Sequence, residues 1–137
     1  MAARRDPSVR SGCPISLSLE IFGDRWSLLI VRDIMFKGRS TFRDFADGGE
    51  GIATNVLADR LVRLETAGLI DRQQDPRDGR RVTYRLTPKG WDLAPMLVEL
   101  VIWAARHEDT EAPPATIRQM RANRARFIAE LKKQRSR

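Results

Sequence analysis

The sequence predicts a mainly α fold carrying one small β-hairpin, an α+β arrangement, and three observations lead there. Apolar residues recur at helical spacing through most of the chain. The segment Arg81 to Thr87 alternates instead, as a half-buried strand does. Just ahead of it, Asp75-Pro76-Arg77-Asp78-Gly79 combines a proline that presets one dihedral with a glycine that tolerates a positive one. At 137 residues, 42% hydrophobic and 31% charged, the chain falls in the range of one compact domain with its own core.

Residues 1–12 carry Arg4, Arg5 and Arg10 among small and turn-forming residues and read as a flexible arm. From Pro14, Ile15, Leu19 and Phe22 form one helical stripe that stops near Gly23, and Trp26, Leu29, Ile30 and Ile34 form a second. Lys37-Gly38-Arg39 reads as a turn, Ser40 as an N-cap, and Thr41 to Phe45 as a short helix ended by Gly48-Gly49. Ile52, Leu57, Leu61 and Leu64 then predict a helix from about Thr54 to Ala67, closed by Gly68.

Two helices joined by a glycine-bearing turn, the second with a polar outer face, make the arrangement that fits a DNA major groove. That face carries Thr54, Asn55, Ala58, Asp59 and Val62, with Arg63 at its flank. A generic helical hairpin with a solvated face would show the same pattern. Leu69 to Gln74 then pairs with Arg81 to Thr87, Val82, Tyr84 and Leu86 facing one way and Thr83, Arg85 and Thr87 the other. A hairpin in this place is a wing, which completes a winged helix-turn-helix. Its tip can lie along the DNA backbone, so Arg77, Arg80 and Arg81 have phosphates as a natural target. The plainer alternative is a solvated tip whose arginines serve solubility.

Thr87-Pro88, a capping hydroxyl before a proline at the first helical position, opens a long helix expected to kink at Pro95 and run to Arg106. Trp91, Leu93, Met96, Leu97, Leu100, Val101, Ile102, Trp103 and Ala104 give it more apolar surface than one small domain usually shows to water, so something must cover it. After the polar break His107 to Glu111, Pro113-Pro114 opens an amphipathic basic helix over 113–135. Ile117, Met120, Arg124, Phe127, Ile128 and Leu131 recur near helical spacing, with Arg118, Arg121, Arg126, Lys132 and Lys133 around them. Packing on the body or a partner is the expected role of that helix, ahead of direct DNA contact. The domain plan is thus an arm over 1–12, the winged domain with its apolar helix over 13–106, and a C-terminal basic helix over 113–135.

Charge narrows the partner. The net charge is +7, and 21 of the 25 basic residues are Arg, whose fork suits phosphates. Solubility charge in an arginine-rich proteome is the alternative. No stretch reaches the roughly 18 apolar residues of a membrane span, and the N-terminus lacks a secretory apolar segment, so a cytoplasmic location is expected. Cys13 is the sole cysteine and His107 the sole histidine, far apart in sequence, so no internal disulfide, metal, cofactor or catalytic constellation is expected, and the chain does not read as an enzyme.

The order Cys13-Pro14, Phe22-Gly23-Asp24-Arg25-Trp26-Ser27-Leu28-Leu29-Ile30-Val31-Arg32 and Phe42-Arg43-Asp44-Phe45 resembles the HxlR-type winged helix-turn-helix transcriptional regulators. The resemblance continues through Gly51-Ile52-Ala53-Thr54-Asn55-Val56-Leu57-Ala58-Asp59-Arg60-Leu61, Gly68-Leu69-Ile70 and Tyr84-Arg85-Leu86-Thr87 to Trp103, covering about residues 13–106. It implies a bacterial DNA-binding regulator, usually dimeric, with a second copy of the chain covering the apolar helix. Dimerisation is then expected at Trp91, Met96, Leu97, Leu100 and Trp103. Ala53 stands where many members carry Ser, so the cap of the recognition helix must shift to Thr54 or be lost; Gly23-Asp24-Arg25-Trp26 replaces the commoner Gly-Gly-Lys-Trp, with Arg25 keeping the positive charge and Asp24 read as a local cap.

The expected function is a homodimeric repressor on double-stranded DNA with a pseudo-palindromic operator. Base reading would fall to Thr54, Asn55, Asp59 and Arg63, and phosphate positioning to Arg25, Thr41, Arg43, Arg77, Arg80 and Arg81. Some members of the family sense oxidants or electrophiles through the cysteine matching Cys13, and a thiol just before a helix suits that role; an inert thiol packed at the helix start is the alternative. A small-molecule effector among the helices around Trp91, Met96 and Trp103 is a further reading, against plain core. The rival of a different class is a non-specific basic nucleic-acid-binding protein, nucleoid- or RNA-associated, but the stacking aromatics of single-strand binders are not evident.

Overall fold

The computed structural model describes residues 10–136; Arg4, Arg5 and most of the expected arm lie outside them. Along those residues run α1 (Pro14–Phe22), α2 (Ser27–Lys37), α3 (Phe42–Ala46), α4 (Thr54–Thr66), β1 (Ile70–Gln74), β2 (Val82–Leu86), α5 (Pro88–Trp91), α6 (Ala94–His107), α7 (Pro114–Ala122) and α8 (Arg124–Arg135). The fold is mainly helical with one antiparallel hairpin, as predicted. No helix of the described residues is long and apolar enough to cross a membrane.

The core gathers the inward stripes of these elements: Ile30, Val31, Ile34 and Met35 from α2, Phe45 from α3, and Leu57, Leu61 and Leu64 from α4. Leu69, Ile70 and Leu86 join from the hairpin, Leu97 from α6 and Leu131 from α8. A smaller cluster of Val98, Ile102 and Met120 joins α6 to α7. α1 is the exception, because none of its residues is buried.

Local rules explain where the helices end, and they correct several expectations. The cap of the short helix is Thr41 rather than Ser40: its hydroxyl accepts from the Asp44 amide while the Asp44 carboxylate accepts from the Thr41 amide, a reciprocal capping box. The expected continuous helix from Pro88 is instead two helices, parted at Asp92 and Leu93. A proline at 95 has no N–H to give the Trp91 carbonyl and its ring would strike that group, so it sits in the first turn of α6. The C-terminal segment also divides, at Asn123, which ends α7 and caps α8 by accepting from the Arg126 amide.

In the hairpin Ile70 lies opposite Leu86 and Gln74 opposite Val82. β2 is also tied to the α2–α3 turn, since the Tyr84 amide donates to the Ser40 carbonyl at 2.7 Å and the Tyr84 ring tilts against Phe45. Gly90 is required where α5 meets the end of α4. A Cβ there would sit 2.2 Å from the Leu69 carbonyl oxygen, a backbone atom that cannot step aside.

Candidate nucleic-acid interface

α4 presents Leu57, Leu61 and Leu64 inward, and its opposite face, with Thr54, Asn55, Ala58, Asp59, Val62 and Arg63, is exposed along its whole length. Ala53 occupies the N-cap position with no side-chain hydrogen bond, and Thr54 is the first helical residue, so the leading amides of α4 are not satisfied by a cap. Such a helix start carries a partial positive charge and free donors, which suits phosphate.

Three ties hold this helix to the body. At its outer side Arg60 Nε donates to Asp24 Oδ2 at 2.8 Å, linking α4 to the turn between α1 and α2. At its C-terminus Gly68 takes a left-handed conformation, and Lys89 Nζ and the Thr87 hydroxyl donate to the carbonyls of Ala67 and Gly68. Ahead of it, buried Asp33 accepts from Arg39 and Arg32, and Arg32 reaches Glu50 in the loop before α4. The helix is thus fixed at both ends while its outer face stays free, the condition for a surface that reads a partner by shape and hydrogen bonding.

Asp24 also accepts from the Ser27 hydroxyl and from the amides of Trp26 and Ser27. Burial alone would raise its pKa; these donors and Arg60 outweigh burial and hold the carboxyl far below the usual carboxylate range. Asp44 in the capping box is lowered as well, first by the amides of Ser40 and Thr41. Groups depressed in the folded state contribute stability that is complete above their unfolded pKa and is lost as pH falls towards the folded one. The expected result is a urea midpoint that declines below about pH 5, with a shallower decline in Asp24→Asn. Equal acid slopes in the two proteins would overturn the role given to Asp24.

Arg77, Arg80 and Arg81 are exposed at the hairpin tip, which is organised by Asp75 accepting from the Arg77 amide and Asp78 from the Arg80 amide. Asp78 also pairs weakly with the Arg80 guanidinium, whereas Arg77 and Arg81 make no ion pair among the described residues. Arg25 is exposed, its guanidinium 5.2 Å from the centre of the Trp26 ring, and Arg43 is exposed on α3. Asp59 is engaged by Arg60 and, at 3.9 Å, by Arg63. Cys13 is exposed at the N-cap position of α1 and its thiol makes no cap bond.

The residues expected to dimerise separate into two sets. Leu97 lies inside the subunit core, Trp91 packs against that core beneath Lys132, and Met96 is half-buried, so Leu97 cannot form a subunit face and Trp91 is largely engaged within its own chain. Leu100 and Trp103 are exposed at 47% and 59%. On α6 the division follows from helical spacing, Met96, Leu100 and Trp103 lying on one stripe and Leu97 on the inward one. Sequence reasoning missed Arg60, Lys89, Asp33 and Arg39, whose partners lie in other elements and leave no periodic signal, and read Asp24 only as a local cap.

The HxlR-like helix-turn-helix family matches residues 21–112. The uncharacterized HTH-type transcriptional regulator sll1512 of Synechocystis is 35% identical over 100 residues, 72% of this chain and 73% of its own. Among solved structures, PA1607, described as a putative transcription factor, superposes with a TM-score of 0.67 at 36% identity, covering 76% of this chain and 71% of that one. The transcriptional regulator YodB from Bacillus subtilis, in its reduced form, superposes with a TM-score of 0.58 at 30% identity, covering 71% and 95%. A structure of YodB with quinone bound is similar too.

Proposed function

Because the chain belongs to the HxlR-like helix-turn-helix family and is a transcriptional regulator of that type, we propose that it acts as a homodimeric repressor on a pseudo-palindromic operator, one α4 per half-site. The observation that carries this reading is the construction of α4: a helix anchored at both ends, uncapped at its N-terminus, with its whole polar face exposed. With half-sites about one or two helical turns apart, in units of roughly 10 bp, two such helices enter successive major grooves.

In this reading Asn55 pairs with adenine, Arg63 forks onto guanine and Asp59 accepts from cytosine, with Thr54 at the helix entrance. Asp59 must leave Arg60 or Arg63 to do so, which makes Asn55 the cleaner reader. Arg25, Thr41, Arg43, Arg77, Arg80 and Arg81 take phosphates and set register without choosing sequence. The Thr41 hydroxyl keeps its proton free for this, because its bond in the capping box is as an acceptor.

The test separates the two roles. Asn55→Ala is expected to lose about 1–3 kcal/mol of discrimination at one base pair while retaining affinity for random duplex. Arg80→Ala with Arg81→Ala is expected to weaken all duplexes and to reduce the slope of log affinity against log salt by about 1.8, for two phosphates. An unchanged salt slope in the second variant rejects the wing, and equal losses on operator and random DNA in the first reject base reading.

An effector reading is favoured by one observation, the exposed Cys13 thiol at the start of α1, together with the reduced and quinone-bound states of YodB. With a single cysteine per chain, oxidation can give a bridge between subunits or a mixed disulfide with a small thiol, and an electrophile such as quinone can instead add to the thiolate without oxidising it. Cys13→Ser is expected to bind operator normally and to ignore quinone; release of both proteins by quinone counts against this role.

A further inference from the structure

Between the hairpin, the α2–α3 turn and the last turns of α8 lies an open cleft of about 650 Å3, within the ~300–1,000 Å3 typical of small-molecule sites. Four cations line it, Arg39, Arg85, Lys132 and Arg135, together with Trp91, and among the described residues no carboxylate does. Arg39 and Arg85 have acid partners outside the cleft, Asp33 and Asp71, whereas Arg135 and Lys132 have none among the described residues, so the cleft keeps a positive field that favours an anion.

Two of the four charges are held in place. Arg39 is fixed by buried Asp33 at 2.8 Å. Arg135 donates to the carbonyls of Met35 and Phe36 at 2.9 and 3.1 Å, which orient its guanidinium without neutralising it. Gly38 leaves room for this, since a Cβ there would lie 2.5 Å from Arg135 Nη1. The other two have exposed side chains: Lys132 makes no ion pair among the described residues, and Arg85 makes only a loose one, 3.8 Å from Asp71, that an incoming anion can replace. Lys132 Nζ stands 5.9 Å from the centre of the Trp91 ring, so an ammonium group and a flat apolar face lie side by side.

We propose that this cleft is a binding site for a small aromatic carboxylate, whose ring lies on the Trp91 side and whose anion is taken by Lys132 and Arg85 over the fixed guanidinium of Arg135. A concave wall with aromatic lining suits a planar acid better than a DNA phosphate, which needs no ring surface. The α8 wall stands beyond residue 112, where the family match ends, so this half of the site belongs to the C-terminal extension. Tyr84 is bonded through its amide to Ser40, so occupancy would bear on the hairpin and the α2–α3 turn together. That last consequence rests on the proposed DNA-binding role; the binding itself does not.

The probe is 1-naphthoate, titrated into the full chain by calorimetry, with the neutral 1-naphthalenemethanol as its control. Naphthoate is expected to saturate one site per chain, and the alcohol to bind at least about tenfold more weakly for want of charged hydrogen bonds. Arg85→Gln with Lys132→Gln, both on the surface, is expected to weaken naphthoate at least about tenfold and leave the thermal midpoint unchanged. No saturable binding at millimolar concentration overturns the proposal, and so does unchanged affinity in the double variant. If that variant instead loses duplex affinity and salt slope while holding naphthoate as before, the cations serve DNA phosphates and the proposal falls. Failure of operator binding alone would leave these naphthoate results interpretable.

Discussion

Ile15→Glu combined with Trp103→Glu is expected to convert the protein to a monomer and to lower operator affinity by roughly 10²- to 10⁴-fold, the advantage of linking two binding units. The reason starts with α1. It has nine residues, no side-chain cap and no buried residue, and a helix so short is marginal in water unless its apolar face is covered. Ile15 and Leu19 are 72% and 58% exposed, and Leu100 and Trp103 on α6 are also bare. Large apolar side chains concentrated on two helices mark an interaction surface. A second copy is the cover proposed here, since it also supplies the paired recognition helices. Sedimentation at micromolar concentration checks the assembly and gel retardation the affinity. A dimer that survives both charges would move the interface elsewhere and remove the palindrome.

Asp33→Ala is expected to have the largest effect on stability, about 3–5 kcal/mol, because it removes one partner of a buried ionic cluster. Asp33 is 4% exposed, and its carboxylate accepts from both Arg32 and Arg39. Losing it strands the Arg39 guanidinium and leaves Arg32 with Glu50 alone, in the segment that leads to α4. The partial exposure of the two arginines favours the lower end of the range, since water can reach them. Asp33→Asn is expected to cost less, as it keeps an acceptor but not the charge. Urea unfolding measures both, and a loss under about 1 kcal/mol for the alanine variant would mean that solvent replaces the carboxylate.

Much of this architecture was legible in the chain because it is written in local patterns. The helical stripes of α2 and α4, the alternation of β2, the Pro-Gly turn and the Thr87-Pro88 helix start each depend on residues a few positions apart. The same locality explains the errors. Thr41 rather than Ser40 caps α3 because the reciprocal bond with Asp44 requires a spacing of three, and Pro95 and Asn123 start new helices where an apolar stripe runs on past them.

The sequence by itself determined the winged order, the basic charge, and which residues face out from α4, because periodicity sorts inside from outside on any one element. Only the tertiary structure decided what each element meets. It joined Arg60 to Asp24 across 36 positions and Arg135 to Met35 across 100, drew Leu97 into the core and left Trp103 outside, and set α8 beside the hairpin to form the cationic cleft. These pairings arise from the packing of whole elements, and no spacing along the chain encodes them.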